Sequence, residues 1–481
     1  MFELPVSSPE SVGIDSEQIE RMIRRLQANQ IPMHSILLMR HGQLVYEGYY
    51  KPYTKEKLHR MFSISKSMVS LGIGYLITRG VLHLDDKIVD YFPEKCPAHV
   101  HPYLQEMTLH NMLEMRTCYS QTTYKLNLTT DWVESFFIAE PDHPAGTIFH
   151  YDTSSPHVLC ALVEKLAGVP FWDFMKSMVF HGLDISEDSY MLTDPNGVSM
   201  GGSGLMCTSM DLMKIGYFLS CKGTIFGETR VSERYIDLAM SLISPTIMKA
   251  PLPSEACGYG MQFWKTERNG TVCYGMGGQL LIMQPEADLI CVTTADTQGY
   301  NGGNQFIYNA FYEEILDRLS EESLKDMPDT AQRQASLKDL TQTLAIAPVA
   351  GRYAVPMQHQ INGKIYEIEE NAIDVSKLSV SFDEDGGCLY LKTADDTWEI
   401  PFGFGECQVI DFPIYHMCAA ASGAWIGNDC LYVKCHLCDT SVGSVHFQLQ
   451  FAGNRVVVYM KKTEESLFHE FSAKHLIGYH R

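Results

Sequence analysis

A serine and a lysine stand three positions apart in the segment Ser63-Ile64-Ser65-Lys66. Residues at positions i and i+3 of a helix share one face, so the Lys66 amine can reach the Ser63 oxygen and help to remove its proton. The pair predicts an activated serine nucleophile. A motif with two fixed positions arises by chance about once or twice in a chain of this length, so the neighbouring segments must decide.

The stretch that follows predicts the helix such a nucleophile needs. Residues 67–77 are apolar on nearly every side, which is typical of a helix buried in the centre of a domain. Ser63 would then lie at the positive end of the helix dipole, where its backbone amide can stabilise a developing oxyanion.

A tyrosine is the candidate for proton transfer. Residues 144–155 predict a turn and a short extended piece ending at Tyr151, followed by a helix over residues 157–166. A phenol ordinarily loses its proton near pH 10, so Tyr151 can act as a base at neutral pH only beside positive charge. Lys66 would supply that charge and hold Tyr151 as a phenolate.

Two glycine-rich segments complete the set. Residues 201–204 predict a turn that runs into a helix capped by Thr208 or Ser209. Gly277 and Gly278 stand at the start of a predicted strand, where they let a substrate lie against the backbone, and the next amide can point at a carbonyl oxygen. Trp264 is a candidate for lining an apolar substrate pocket.

Taken in this order, residues 14–319 resemble the serine β-lactamase and penicillin-binding-protein superfamily, in the branch of class C β-lactamases, esterases, D-aminopeptidases and 6-aminohexanoate-oligomer hydrolases. The resemblance implies covalent acyl transfer with Ser63, Lys66 and Tyr151 as catalytic residues. It also implies an oxyanion hole formed by the backbone amides of Ser63 and Gln279. No metal and no organic cofactor is implied.

Two departures from the family pattern bear on the substrate. The usual Tyr-x-Asn element ends here in Thr153, and the usual Lys- or His-x-Gly element is here Met276-Gly277-Gly278. The first change removes an amide that contacts acyl-amide substrates, and the second removes the cation expected to hold a carboxylate. We therefore expect Thr153, Met276, Gly277, Gly278 and Trp264 to contact a substrate that is not primarily a β-lactam.

Three functions remain open from the sequence. The leading one is a serine hydrolase that cleaves a small ester, amide or peptide bond through a Ser63 acyl-enzyme. The second is an acyltransferase of the same architecture, which would pass the acyl group to an alcohol or amine instead of water. The third is a non-catalytic binder or sensor, which the changes at Thr153 and Met276 keep open.

Composition narrows the setting. The net charge of −21 opposes nucleic acid or an anionic membrane as a partner, and no apolar stretch reaches the length that spans a bilayer. The first 14 residues do not resemble a signal peptide, and most of the 14 cysteines lie in apolar or strand-like contexts, so we expect a cytoplasmic protein. Cys430, Cys435 and Cys438 are the nearest approach to a metal motif, but their segment alternates like a strand. A homo-oligomer stays open.

The predicted fold is α+β with two domains. Residues 1–335 are expected to form a β-lactamase-like antiparallel sheet flanked by helices, with a helical subdomain from about residue 82 to 245. Residues 348–481 contain about eight short strand-like pieces, which predict an antiparallel barrel or sandwich similar to lipocalin-like domains. Its role is open between a lid over the cleft, an oligomer contact and passive stabilisation.

Overall fold

The first sheet combines strands from residues 33–49 with strands from residues 264–295. The structure is a computed structural model that describes residues 2–250, 252–472 and 474–480. The six strands of the sheet are β1 (Met33–Arg40), β2 (Gln43–Tyr49), β3 (Trp264–Lys265), β4 (Thr271–Gly275), β5 (Gln279–Gln284) and β6 (Leu289–Ala295). They pair in the order β2-β1-β6-β5-β4-β3, and every pair is antiparallel. The predicted early hairpin and the later strands therefore form one sheet.

Helices cover both faces of this sheet. The long helices are α1 (Ser16–Ala28), α2 (Ile64–Thr78), α3 (Ser154–Ala167), α4 (Ser209–Ser220), α5 (Gly303–Glu314) and α6 (Thr330–Gln342). Along β1, Ile36 and Leu38 belong to a core shared with α1 and α5, whereas Leu37 and Met39 belong to a core shared with α2 and α4. This alternation is the two-residue period of a strand buried on both sides. Helix α2 is thus held between the sheet and the helical region beyond it.

The helical region contains α3 and several short elements. The short helices are Ile88–Tyr91, Pro102–Gln105, Leu109–Leu113, Trp132–Ile138, Phe171–Phe174 and Glu233–Ala239, with a π-helical turn at Met175–Val179. Strands His59–Arg60, Leu205–Cys207 and Tyr190–Met191 form a small sheet, and Thr224–Ile225 pairs with Glu228–Thr229. Because the small sheet joins the residues just before Ser63 to the glycine-rich turn before Leu205, it fixes two parts of the candidate site together.

The C-terminal region is a closed barrel. After a short helix, Pro356–Ile361, its strands are β7 (Tyr366–Ile368), β8 (Lys377–Phe382), β9 (Gly386–Lys392), β10 (Thr397–Gly403), β11 (Gln408–Phe412), β12 (Met417–Trp425), β13 (Cys430–Cys438), β14 (Val442–Ala452), β15 (Arg455–Lys462) and β16 (Lys474–Tyr479). Nine strands close in the order β10-β9-β8-β7-β16-β15-β14-β13-β12, and one parallel bridge, Gly403 to Ser422, joins β10 to β12. β11 pairs with β12 as a tenth strand. The barrel alternative is therefore confirmed over the sandwich.

The barrel contacts the catalytic region beside the nucleophile turn. The Arg60 guanidinium donates a hydrogen bond to the Thr440 carbonyl (3.2 Å), and the Gln298 side-chain amide donates one to the Val442 carbonyl (2.7 Å). Cys430, Cys435 and Cys438 all lie on β13, as their alternating segment predicted.

The limits of the two domains, 1–335 and 348–481, stay a prediction. Helix α6 crosses residue 335 and packs on α1, so part of the expected linker is regular structure. Among the helices of residues 2–250, 252–472 and 474–480, none is both long enough and apolar enough to cross a membrane.

A buried arginine at the end of β1 provides a test of the fold. Arg40 is 1% exposed and donates to the carbonyls of Val12 (2.6 Å), Ser320 (2.8 Å) and Ala287 (3.3 Å). Its replacement in Arg40→Ala leaves these carbonyls unpaired, so we expect the free energy of unfolding to fall by about 3 kcal/mol. Urea denaturation followed by circular dichroism measures this change.

The matched control is Arg24→Ala. Arg24 is an exposed helix arginine that pairs with Glu20 at 2.7 Å. Exposed pairs of this kind contribute less than about 1 kcal/mol. Equal losses in the two variants would contradict the role given to Arg40.

Candidate active site

The nucleophile candidate stands on a fixed turn. Ser63 directly precedes α2, and Phe62 before it adopts a positive φ of 46°, a left-handed conformation that is costly for a bulky residue. Ser65 holds this turn, because its hydroxyl donates to the Phe62 carbonyl (2.6 Å) and accepts from the Leu205 amide (3.0 Å). The turn sets Ser63 at the N-terminus of α2, as the sequence predicted.

Lys66 is buried against the nucleophile. It is 1% exposed, and its Nζ lies 3.0 Å from the Ser63 Oγ. The amine also donates to the Gly202 carbonyl (2.7 Å) and lies 3.4 Å from the Thr153 Oγ1. Burial lowers the pKa of Lys66 to about 7, against the opposing charge of Asp152. Much of the lysine is therefore a neutral amine at neutral pH, able to accept a proton.

Gly202 lies where a side chain would not fit. A Cβ at this position would lie 2.2 Å from the Thr153 Cγ2 and 2.8 Å from the Thr153 carbonyl oxygen. The close approach brings the Gly202 carbonyl to Lys66. The sequence indicated a glycine-rich turn here, but it gave no sign that one of its carbonyls accepts a hydrogen bond from Lys66.

Tyr151 lies beside this pair, and its buried surroundings favour the neutral phenol. The Lys66 Nζ lies 4.9 Å from the centre of the Tyr151 ring. Burial raises the pKa of Tyr151 far above its ordinary value, and hydrogen bonds with Ser63 and Trp264 offset only part of that rise. This direction contradicts the predicted phenolate. Burial affects both groups alike by disfavouring their charged forms, so Lys66 loses the charge that was expected to ionise Tyr151.

Asp152 anchors the segment that carries Tyr151. Its buried carboxylate accepts hydrogen bonds from the Ser154 hydroxyl (2.7 Å), the Ser155 amide (2.7 Å) and the Ser155 hydroxyl (2.8 Å) at the start of α3. Asp152 is not among the candidate residues predicted from the sequence. The signal was present, because an aspartate ahead of two serines and a helical stretch is typical of a helix N-terminus.

The turn between β4 and β5 lies next to Ser63. A Cβ on Gly275 would lie 2.2 Å from the Met61 carbonyl oxygen, so the strand end and the nucleophile turn are in direct contact. Gly277 and Gly278 both have positive φ, 84° and 95°, which favours glycine. Gln279 is fully buried, and its side chain bonds the carbonyls of Met276 and Ala295. The oxyanion role expected of its backbone amide stays a prediction.

The remaining substrate-contact candidates separate into two groups. Trp264 lies 5.3 Å from Tyr151 between ring centres, and Met276 and Gly277 line a cavity of about 500 Å³ beside it. Thr153 faces Lys66 instead of open space. Gly278 faces the core, since a Cβ there would lie 2.8 Å from the Ile307 side chain. Within the described residues, no group of three or more His, Cys, Asp or Glu side chains is placed to hold a metal ion.

The chain is similar to several known hydrolases. The 6-aminohexanoate-dimer hydrolase of Paenarthrobacter ureafaciens is 22% identical over 294 residues, which span 56% of this chain and 75% of that protein. A solved structure from Bacillus anthracis, assigned as a 6-aminohexanoate-dimer hydrolase, matches with a TM-score of 0.56 at 18% identity, over 66% of this chain and 89% of that chain. EstCE1, described as a hydrolase with promiscuous acyltransferase activity, matches with a TM-score of 0.51 at 17% identity, over 62% and 99%.

The two structural matches show the shared fold. A family model described as Beta-lactamase matches residues 19–310, which is more than half of the chain and includes Ser63, Lys66 and Tyr151. The chain therefore belongs to the Beta-lactamase family, within the superfamily of serine β-lactamases and penicillin-binding-protein-like hydrolases.

Proposed function

We propose that the protein is a serine hydrolase that cleaves small esters, amides or peptides through an acyl-enzyme on Ser63. The observation that carries the proposal is the pairing of Ser63 with Lys66, whose amine lies 3.0 Å from the serine oxygen and has a pKa near 7. A buried amine with that pKa is a competent general base at neutral pH.

Acylation begins with the neutral amine. Lys66 takes the Ser63 hydroxyl proton as Oγ attacks the carbonyl carbon, and the carbonyl electron pair moves onto its oxygen. When the tetrahedral intermediate collapses, the bond to the leaving alcohol or amine breaks. Tyr151 donates its phenolic proton to that leaving group and regains a proton from Lys66. Water then attacks the ester carbon by the reverse sequence, which releases the acid and restores Ser63.

Stabilisation of the oxyanion is assigned to backbone amides. The Ser63 amide lies at the N-terminus of α2, and the Gln279 amide follows the turn that touches the nucleophile segment. Loss of one such donor typically raises a barrier by about 3 kcal/mol.

The substrate class follows from what the site lacks. Met276 supplies no charge for a carboxylate, and Thr153 is engaged with Lys66, so a β-lactam would lose two ordinary partners. We therefore assign the protein an esterase, amidase or peptidase activity. The Paenarthrobacter relative is named for hydrolysis of a small amide dimer, which is compatible with this class.

The first prediction concerns the nucleophile. Incubation with a fluorophosphonate should add one phosphonyl group to the wild-type protein and none to Ser63→Ala, as measured by intact mass. The same substitution should lower turnover of p-nitrophenyl acetate by about 10⁶-fold. An adduct that persists in Ser63→Ala would move the nucleophile elsewhere. An added alcohol that captures most of the acyl group would favour the acyltransferase instead.

The second prediction concerns the base. Since Lys66 must be neutral to accept a proton and its pKa is about 7, kcat/KM should rise about ten-fold from pH 6 to pH 8. Lys66→Arg cannot deprotonate, so it should lose about 10²–10⁴-fold in rate together with the pH dependence. Stopped-flow measurement with p-nitrophenyl acetate records the profile, with Ser63→Ala as the background.

A tyrosine variant separates the two candidate bases. Tyr151→Phe should have a lower kcat/KM than the wild-type protein, but its kcat/KM should still rise near pH 7, because Lys66 remains as the base. If the rise disappears in Tyr151→Phe and survives in Lys66→Arg, the phenol is the base and our assignment is wrong.

The third prediction concerns the contact that positions the lysine. In Gly202→Ala the added methyl group would lie 2.2 Å from the Thr153 Cγ2, so the loop must move and carry the Gly202 carbonyl away from Lys66. We expect a loss of about 1–3 kcal/mol in stability and a clear drop in kcat. Gly427→Ala is the control, because its nearest neighbour would be 3.5 Å away. An unchanged kcat in Gly202→Ala, or an equal loss in Gly427→Ala, would contradict this cause.

A further inference from the structure

A buried carboxyl group without a full set of partners lines the cavity of about 500 Å³ beside the turn between β4 and β5. Glu255 is 3% exposed, and its Oε1 accepts no hydrogen bond from any residue within the described ranges. Burial raises the pKa of Glu255 to about 7, although contacts with Asn304 and Tyr274 lower it in part. A buried acceptor left unpaired costs free energy, so this oxygen is suited to receive a donor from a ligand.

The charge of the cavity selects the kind of donor. Glu255 and Glu465 both line it, and among its described lining residues there is no Lys or Arg. The side chain at the family's cation position is here Met276, which lines the same cavity. Glu465 is paired with Lys125 at 3.6 Å, whereas Glu255 has no Lys or Arg partner in the described part of the chain. An anionic group bound beside Glu255 would therefore be repelled, and a cation would be attracted.

The cavity adjoins the catalytic centre. The ring centres of Tyr274 and Trp264 are 5.9 Å apart, and those of Trp264 and Tyr151 are 5.3 Å apart. The charge of Glu255 also contributes to the raised pKa of Tyr151, which places the two groups within electrostatic range. Met276 and Gly277 line the cavity. They follow Gly275, where a Cβ would lie 2.2 Å from the carbonyl oxygen of Met61, two residues before Ser63. A molecule that extends from Glu255 along this turn would therefore approach Ser63.

We propose that this cavity binds the ammonium group of the substrate, and that Glu255 is its acceptor. The inference rests on the proposed hydrolase function and specifies its substrate class as amine-bearing esters, amides or peptides. Glu465, three residues after the end of β15, brings a second carboxylate to the rim, where it also pairs with Lys125 (3.6 Å), so the barrel contributes to selection. The aromatic ring of Tyr274 and the side chain of Met276 would contact the adjoining alkyl chain.

The test measures binding separately from catalysis. In the Ser63→Ala protein, isothermal calorimetry at about pH 8 compares hexylammonium, 1-hexanol and hexanoate, which differ in charge at nearly equal length; the alkylammonium keeps its charge there. We expect hexylammonium to bind at least about ten-fold more tightly than 1-hexanol, and hexanoate to bind most weakly. Equal affinities for hexylammonium and 1-hexanol would overturn the ammonium site without any further variant.

Three substitutions locate the site. Glu255→Gln preserves shape and removes the charge, so hexylammonium and 1-hexanol should then differ by no more than about two-fold. Glu465→Gln should lower the affinity for hexylammonium by about two- to three-fold, because the Glu465 side chain is half exposed and already pairs with Lys125. Glu384→Gln, on an exposed turn of the barrel, should change nothing. An ammonium preference that survives Glu255→Gln would overturn the assignment of Glu255.

The two proposals can fail separately. Turnover of p-nitrophenyl acetate by the wild-type protein, with no ammonium preference in Ser63→Ala, would overturn the ammonium site and leave the hydrolase in place. An ammonium preference lost in Glu255→Gln, with no turnover and no covalent adduct on Ser63, would support the site and overturn the hydrolase.

Discussion

The burial of one lysine amine governs the chemistry of this site. Removing an ammonium group from water costs free energy. At Lys66 this cost is reduced because the lowered pKa favours the neutral amine. Contacts with the Gly202 carbonyl and the Thr153 hydroxyl reduce it further. The same low-dielectric surroundings keep Tyr151 protonated. A single physical cause therefore produces a proton acceptor and a proton donor side by side, and no charged residue has to be built in to create either.

This constraint explains why distant parts of the chain are so closely fitted around α2. Lys66 stays dry only if the glycine-rich turn reaches it, and that turn is joined to the nucleophile segment by the small sheet of strands His59–Arg60 and Leu205–Cys207. The Tyr151 segment is fixed in turn by Asp152 at the start of α3. The small sheet and the Gly202 carbonyl link the helical region to the central helix, and the Asp152 contacts fix the Tyr151 segment on α3. The geometry of the site and the packing around α2 therefore depend on the same segments.

The sequence predicted contacts between residues that are close along the chain and missed contacts between distant segments. The spacing of Ser63 and Lys66 predicted their contact, because positions three apart on a helix must meet. The phenolate was wrong because ionisation depends on burial, which pairwise spacing does not reveal. The roles of the Gly202 carbonyl and of Glu255 arise from contacts between segments distant in sequence. A Cβ on Gly278 would point toward the Ile307 side chain, and the substrate contact expected of its backbone stays a prediction.

The number of barrel strands and their placement could be predicted only in part, for the same reason. Alternating apolar residues indicated about eight strand-like pieces, yet short strands such as Tyr366–Ile368 carry little periodicity, and nine strands close the barrel while a tenth attaches to it. Nothing in those patterns could place the loop after β15 beside the turn between β4 and β5. That placement brings Glu465 to the cavity where Met276 has replaced a cation. Glu465 is paired there with Lys125, so the unpaired carboxyl group of Glu255 is the main source of the proposed preference for a cation, and the barrel adds to it at the rim.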